Sequence, residues 1–330
     1  MSKLRDLLKI IVLNSAAVLC TVTGPTVQAA YPDRPIRVIV AFPAGGNVDL
    51  TTRAVLARMS HELGQPLVVV NMPGAAGSIG AGSVLRTRAD GYTLLSTTVL
   101  PLVVNPVIIP DIKIRQNDFL TIGLLASVPC LLEVKADNKY GIRNFADFLA
   151  HARAHPDDLS VGHGGNGTMN QIVELEIQRD FGIQINPIPY KGSALVLSDL
   201  LGGQIDAMID QLTTSQPQIQ QGTLVALAIT SAKRVPSLPN VPTFAELGKP
   251  DFEMASYSAL MAPKGTPTNV LEKLNSALNK AIADPTVQKQ LASVGASVAP
   301  GNLKEASDIV AREQKKLDPL LTSGMLTPGS

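Results

Sequence analysis

The chain has 330 residues, of which 45% are hydrophobic and 17% charged, and its formal net charge is +1. That balance offers no basic stripe for nucleic acid, and the absence of Trp with only 4% aromatics counts against a sugar site built on stacked rings. Two cysteines, Cys20 and Cys130, exclude a disulfide scaffold, and the length suffices for two modest cores.

Residues 1–29 read as a cleavable secretory signal peptide. Lys3, Arg5 and Lys9 make a basic start, and Ile10 to Leu19 is an apolar core too short to span a bilayer well. Val27-Gln28-Ala29 is a small-residue cleavage site, so the mature chain starts at Ala30 or Tyr31. Leu19 stands where a lipoprotein site needs Gly, Ala or Ser, so Cys20 leaves with the signal. Losing Lys3, Arg5, Lys9 and Asp6 takes the charge from +1 to about −1. The expected product is a soluble, exported chain with one cysteine, stabilised by its core alone.

In chain order, Ile36–Ala41 is a β-branched, apolar run, as a buried parallel strand should be. Phe42-Pro43-Ala44-Gly45-Gly46-Asn47-Val48-Asp49 follows, and a helix pattern over Asp49–Leu63 follows that. A strand, a glycine turn and a helix start make an anion site: first-turn N–H groups point out unpaired, and the helix dipole adds positive charge. The plain alternative is a tight turn with no ligand. No Lys-Ser/Thr of the phosphate-loop kind follows. Leu67–Val70 is a second buried strand, and the loop Asn71–Gly80 enters a helix to about Thr87. Gly77-Ser78-Ile79-Gly80-Ala81-Gly82 resembles a dinucleotide fingerprint, but its glycines fall partly inside the helix. Gly80 and Gly82 are better read as packing positions against the sheet.

Tyr92–Ser96 is a short strand ending at Thr97-Thr98, and Phe119–Ala126 is another. The alternation predicts a doubly wound parallel sheet whose ligand lies at the carboxyl ends of the strands. Near Pro129 the pattern restarts: a strand at Cys130–Val134, a helix capped by Asn144 and Asp147, then Asp158–Val161 leading into Gly162–Thr168 and a helix through Arg179. This second strand–glycine loop–helix echoes the first. Strands follow at Ile185–Ile188, Ile205–Ile209 and Leu224–Thr230, and Thr243 with Glu246 reads as a capping box. A strand at Ser256–Met261 precedes an amphipathic helix carrying Val270, Leu271, Leu274, Leu278, Ala281 and Ile282. Two closing helices, about 285–294 and 303–321, cover the first domain. The fold class is therefore α/β: two doubly wound domains with a ligand cleft between them.

The residues of Tyr31-Pro32-x-x-Pro35-Ile36-Arg37, Phe42-Pro43-Ala44-Gly45-Gly46-x-x-Asp49 and Asn71-x-Pro73-Gly74-Ala75-x-Gly77-x-Ile79-Gly80 resemble the tripartite tricarboxylate transporter substrate-binding proteins, the Bug family. The likeness continues through Asp90-Gly91-Tyr92-Thr93-Leu94-Leu95, Pro189-Tyr190-Lys191-Gly192 and Asp199-Leu200-Leu201-Gly202-Gly203-Gln204-Ile205-Asp206. Leu238-Pro239-x-Val241-Pro242-Thr243 and Ala262-Pro263-x-Gly265-Thr266-Pro267 complete it across the mature chain. The resemblance implies a periplasmic solute-binding protein of type II-like architecture, with two crossovers and Venus flytrap closure. Domain 1 is then 30–129 plus 252–330 and domain 2 is 130–251. It also implies a small carboxylate ligand (a di- or tricarboxylate, an acidic amino acid or an aromatic acid) and handover to membrane permease subunits or a sensor. No cofactor, metal or nucleic-acid partner is implied, and a monomer is expected.

Carried over by position, Phe42, Ala44, Gly45 and Gly46 with Asp49 make one jaw, and Gly165, Asn166, Gly167 and Thr168 the other. Ser78 and Thr97 add donors, and Asp210 orients a neighbour, accepts from an ammonium group, or is a plain strand-end carboxylate. Asp49 cannot attract an anion, so it caps the helix, orders the loop, or is a plain first-turn acid. Gly46→Val is expected to block the backbone's approach to the ligand. Gln171 stands where the family usually carries His; His163 either substitutes for that ring or, the commoner outcome, is a solvent-facing loop residue, and Lys191 is either a distal carboxylate partner or an exposed turn lysine. The alternative is an exported enzyme acting on a small organic acid on the same scaffold. His61, His151, His155 and His163 lack metal spacing, and no Gly-x-Ser-x-Gly elbow occurs.

Overall fold

Five consecutive β-branched or apolar-flanked residues, Ile36–Val40, form strand β1, buried except at Arg37. The computed structural model describes residues 31–109, 111–297 and 300–322. The signal peptide expected at 1–29, with Cys20, lies outside the described residues. Tyr31, Pro32 and Asp33 belong to a separate N-terminal unit, and the fold described here is carried by the unit that begins at Arg34.

From β1 the chain passes through helix α1 (Asn47–Leu63), ended by Gly64 in the left-handed region, to β2 (Leu67–Asn71). A short 3-10 turn at Ala75–Gly77 leads into α2 (Ser78–Leu85) and then β3 (Thr93–Thr98). β1 lies between β2 and β3, parallel to both, so the three following loops share one edge. Gly80 is a packing position: a Cβ there would lie 2.8 Å from the Met72 carbonyl and 2.9 Å from the Ala41 Cα. Helix α3 (Leu100–Ile108) forms although Pro101 and Pro106 disfavour it. Pro101 sits in the first turn, where no N–H is needed. Burial of Leu102, Val104 and Ile108 outweighs the cost of Pro106.

The strands expected at Phe119–Ala126 and Cys130–Val134 are one strand, β4, running Phe119–Lys135 over 17 residues. By sequence the pattern restarts near Pro129. It sits where β4 changes partners: Pro129 is its last residue paired with β9 (Ala255–Pro263), and Cys130 its first paired with β7 (Ala207–Gln211). β9 runs antiparallel between β3 and β4, so the first sheet, ordered β2-β1-β3-β9-β4, is mixed rather than wholly parallel. Its core gathers Ile39, Leu95, Leu124 and Met261.

The second sheet shares β4. Helix α4 (Phe145–Ala154) is capped by Asn144, whose side chain accepts from the Asp147 N–H at 2.9 Å. β5 (Ser160–His163), α5 (Met169–Phe181), β6 (Asn186–Pro189) and α6 (Ser193–Leu201) follow. β7, α7 (Leu212–Gln220) and β8 (Leu224–Ile229) complete it. β5 pairs parallel with β6 and β7, while β4 takes β7 and β8 antiparallel on either side. Phe145, Phe148, Phe244 and Phe252 fill this core. The Thr243–Glu246 box forms reciprocally, at 2.9 and 3.2 Å, over a turn rather than a regular helix. Helix α8 (Thr268–Ala283) packs its expected apolar face on α1 and β4. α9 (Pro285–Ser293) lies on α1 and α8, and α10 (Leu303–Thr322) on β4 and α3.

Candidate functional site: a recess between two glycine loops

The first loop is held from within. Asp49 is only 3% exposed. Its Oδ2 accepts from the Gly45 N–H at 3.0 Å, and its Oδ1 accepts from Arg53 Nε at 2.8 Å and Asn71 Nδ2 at 2.9 Å. The Gly46 N–H turns back to the Pro43 carbonyl at 3.4 Å. The two glycine N–H groups are thus spent inside the loop, and Ala44 and Gly45 stand on its exposed side. The recess is faced by the next residues, Asn47 and Val48, in the first turn of α1. Asn47 is buried, and its Oδ1 accepts from the Thr213 hydroxyl at 2.8 Å across the cleft. Its Nδ2 has no partner among the described residues.

The second loop is held by neutral groups. His163 Nδ1 accepts from the Gly165 N–H at 3.3 Å, and Gln171 Oε1 from the Gly167 N–H at 2.7 Å. The Thr168 hydroxyl donates to the Gly165 carbonyl at 2.6 Å. His163 is 1% exposed, not solvent-facing as its loop position suggested, because the loop folds back over the end of β5. Its Nε2 lies 3.6 Å from Oε2 of Glu174, which is equally buried. Burial pushes the histidine down to about 4 and the glutamic acid up to about 8, so both are uncharged at neutral pH.

Behind the recess lies Asp210, fully buried at the end of β7. Its Oδ1 accepts from Asn170 Nδ2 at 2.7 Å and from the Ser193 hydroxyl at 2.5 Å. Asn170 Oδ1 in turn accepts from Gln211 Nε2 at 2.5 Å. Burial raises Asp210 to about 6. Its Oδ1 thus fixes the lining residues Asn170 and Ser193, while its Oδ2 has no hydrogen-bond partner among the described residues.

Two glycines let the loops meet. At Gly192, with φ of +126°, a Cβ would lie 2.7 Å from the Pro43 ring; at Gly167, with φ of +74°, it would lie 2.5 Å from Asn105 Oδ1. Each contact joins a loop of one sheet to an element of the other. The recess they enclose offers about 30 Å³, room for one or two waters or one small polar group. Through Thr98, Met169 and Ser256 it continues into a cavity of about 580 Å³.

Of the residues singled out in the sequence, Phe42, Gly46 and Thr168 line the recess. Asp49, Gly165, Gly167 and Asp210 stand behind the lining as its hydrogen-bonded support, and Asn166 is half-buried. Ser78 Oγ accepts from Asn105 Nδ2 at 2.8 Å and the Thr97 hydroxyl donates to the Thr98 carbonyl at 3.2 Å; neither reaches the recess. Strand alternation puts Thr98 there instead. Lys191 is exposed outside it. Sequence reasoning missed Asn47, Asn170, Ser193 and Ser256 as lining residues. Asn47 lay inside a quoted loop and Ser193 directly after a quoted motif; Ser256 carries no local signal.

Three helices, α1, α5 and α6, aim their first turns at the recess through Asn47 and Val48, Met169 and Asn170, and Ser193. Their partial positive charges suit an anion. No Lys, Arg, His or Cys is among the residues lining the recess. Among the described residues no cluster of three metal-ligating side chains occurs.

The family model of the tripartite tricarboxylate transporter family receptor matches residues 51–325. The periplasmic binding protein BugD superposes with a TM-score of 0.85 at 32% identity, over 90% of this chain and all of that one. MatC from Rhodopseudomonas palustris, with bound malate, superposes at 0.82 with 29% identity, over 88% of this chain and 100% of that one. A second R. palustris protein, with adipate, reaches 0.86 at 31% identity, over 90% and 99% of the two chains. With a fold, two facing glycine loops and a family match over most of its length, this chain belongs to the tripartite tricarboxylate transporter receptor family.

Proposed function

We propose that this chain is a periplasmic receptor that captures a small carboxylate in the recess and delivers it to the permease subunits of a tripartite transporter. The observation that carries this reading is the convergence of three helix starts on a recess that no charged side chain lines. Asn47 Nδ2 and the Ser256 hydroxyl, both buried without a partner among the described residues, supply further hydrogen-bond donors. The carboxylate head takes the first-turn N–H groups of α1, α5 and α6, directly or through water. Phe42, Gly46 and Thr168 wall it, while Asp49, Gly165, Gly167 and Asp210 keep the donors in place.

Opening and closing would divide the chain near Pro129 and Phe252, where β4 changes sheets and the chain enters β9. Pro43 against Gly192 and Asn47 against Thr213 are contacts made on closure. The leader expected at residues 1–29 would route the chain to the periplasm, and among the described residues no helix is long and apolar enough to cross a membrane. A binding role is favoured over an enzyme because malate and adipate occupy its relatives as bound ligands.

A thermal-shift panel of mono-, di- and tricarboxylates tests this. Ligand at a hundred times its Kd should stabilise by about 2.7 kcal/mol and raise Tm by a few degrees. Acid-dependent shifts with unchanged ligand recovered afterwards are expected; conversion of the ligand to product would contradict the receptor reading.

A further inference from the structure

The recess and the cavity beside it differ in character. The recess has room for one small polar group, whereas the cavity, at about 580 Å³, falls in the range that holds a whole small molecule. Thr98, Met169 and Ser256 line both and form the neck between them. Beyond the neck the wall carries Leu100, Ile172, Met254 and Tyr257. Leu100 and Ile172 also belong to one buried apolar cluster, against which Met254 packs.

The charged groups of the cavity are unequal. Arg179 is its one cation, against Glu176, Asp180, Asp251, Glu253 and Glu313. That guanidinium is already held by two of these acids: its Nη groups bind the Glu176 carboxylate, and its Nε bonds Asp180 at 2.7 Å. A second carboxylate entering the cavity would find no uncommitted cation, and would face Asp251 and Glu253.

Resting on the carboxylate reading above, we infer that the ligand is a monocarboxylate with an apolar body, its head in the recess and its body beyond the neck among Leu100, Ile172, Met254 and Tyr257. The site then selects against dicarboxylates of the same length. Burying each methylene of the body favours binding, and a terminal carboxylate reverses that gain by being desolvated beside acids.

Hexanoate and adipate, six-carbon acids that differ at one end, isolate the claim. Calorimetric titration of the mature chain at low ionic strength should give hexanoate at least tenfold tighter binding than adipate, and tighter binding than acetate, which has only the head. In the exposed double variant Asp251→Asn/Glu253→Gln the preference of hexanoate over adipate should shrink severalfold. Adipate binding as tightly as hexanoate in the parent chain, or a preference unmoved by the double variant, would overturn the inference while leaving the carboxylate receptor intact. Binding of none among acetate, hexanoate, adipate and malate would overturn the receptor reading itself.

Discussion

The two glycine loops face each other across one recess, yet they are held by different chemistry. A buried carboxylate, Asp49, braces the first through Gly45, Arg53 and Asn71. Uncharged groups, His163 and Gln171, brace the second through Gly165 and Gly167. In both, glycine N–H groups are consumed by the loop's own support, and the donors left for an anion are those of the following helix turn. The difference teaches that the glycines position the helix starts and do not serve as the grip. At Asp49 the negative charge beside the anion site is matched by three donors. Where a histidine and a glutamic acid are buried together, burial keeps both neutral.

The largest effect should come from preventing the loops from meeting. Gly192→Val places a branched side chain at φ of +126° against the Pro43 ring, 2.7 Å from its Cβ. Carboxylate affinity should fall at least about 100-fold, or about 2.8 kcal/mol, with the far-UV spectrum unchanged. Gly46→Val is a weaker probe than the motif suggests. Its φ is −82°, and a Cβ would meet only the Pro43 carbonyl at 3.5 Å, an ordinary contact.

Removing the first loop's brace comes next. Asp49→Ala leaves the Gly45 N–H without its acceptor and Asn71 Nδ2 with the Phe42 carbonyl alone, and should cost about 2 kcal/mol of stability, with affinity falling roughly tenfold. Asp49→Asn should cost less, since it retains one acceptor. Denaturant melts with and without ligand separate the two losses.

The second loop's brace should be read through pH. The folded-state value of Glu174 is raised from 4.5 to about 8, so folded protein holds this proton more tightly and stability falls as pH rises between those values. His163 is lowered from 6.5 to about 4, so its contribution is lost as pH falls between those values. Glu174→Gln should remove the alkaline decline alone. Its Tm advantage over the parent should grow from pH 5 towards pH 8 and then level off. A constant difference across that window would show that the charge of Glu174 is not what burial opposes. The smallest effect belongs to Lys191→Ala: the side chain is exposed outside the recess, and both affinity and stability should stay within about 0.5 kcal/mol.

Much of this architecture was legible. The β-branched run of β1, the glycine loops and the amphipathic α8 are local patterns, and the structure places them as read. What the sequence hid depends on partners distant along the chain. Pro129 reads as a break, but it falls where β4 leaves β9 for β7. Pro101 and Pro106 disfavour a helix locally, but burial of Leu102, Val104 and Ile108 holds one around them. At the site, the loops could be found by pattern and the donors could not. Nothing local says that Asp49 consumes the Gly45 N–H, or that Thr213, 166 residues away, occupies one end of the Asn47 amide and leaves the other unpaired.

The central claim is that helix starts and the Asn47 amide, with no cationic side chain, hold an anion. Calorimetric titration of each acid that shifts Tm, set beside its primary amide, tests it most directly. The amide keeps the shape and loses the charge. We predict that the acid binds at least about 100-fold more tightly than the amide, and that Asn47→Ala narrows this gap. Equal binding of acid and amide would contradict a recess built for negative charge.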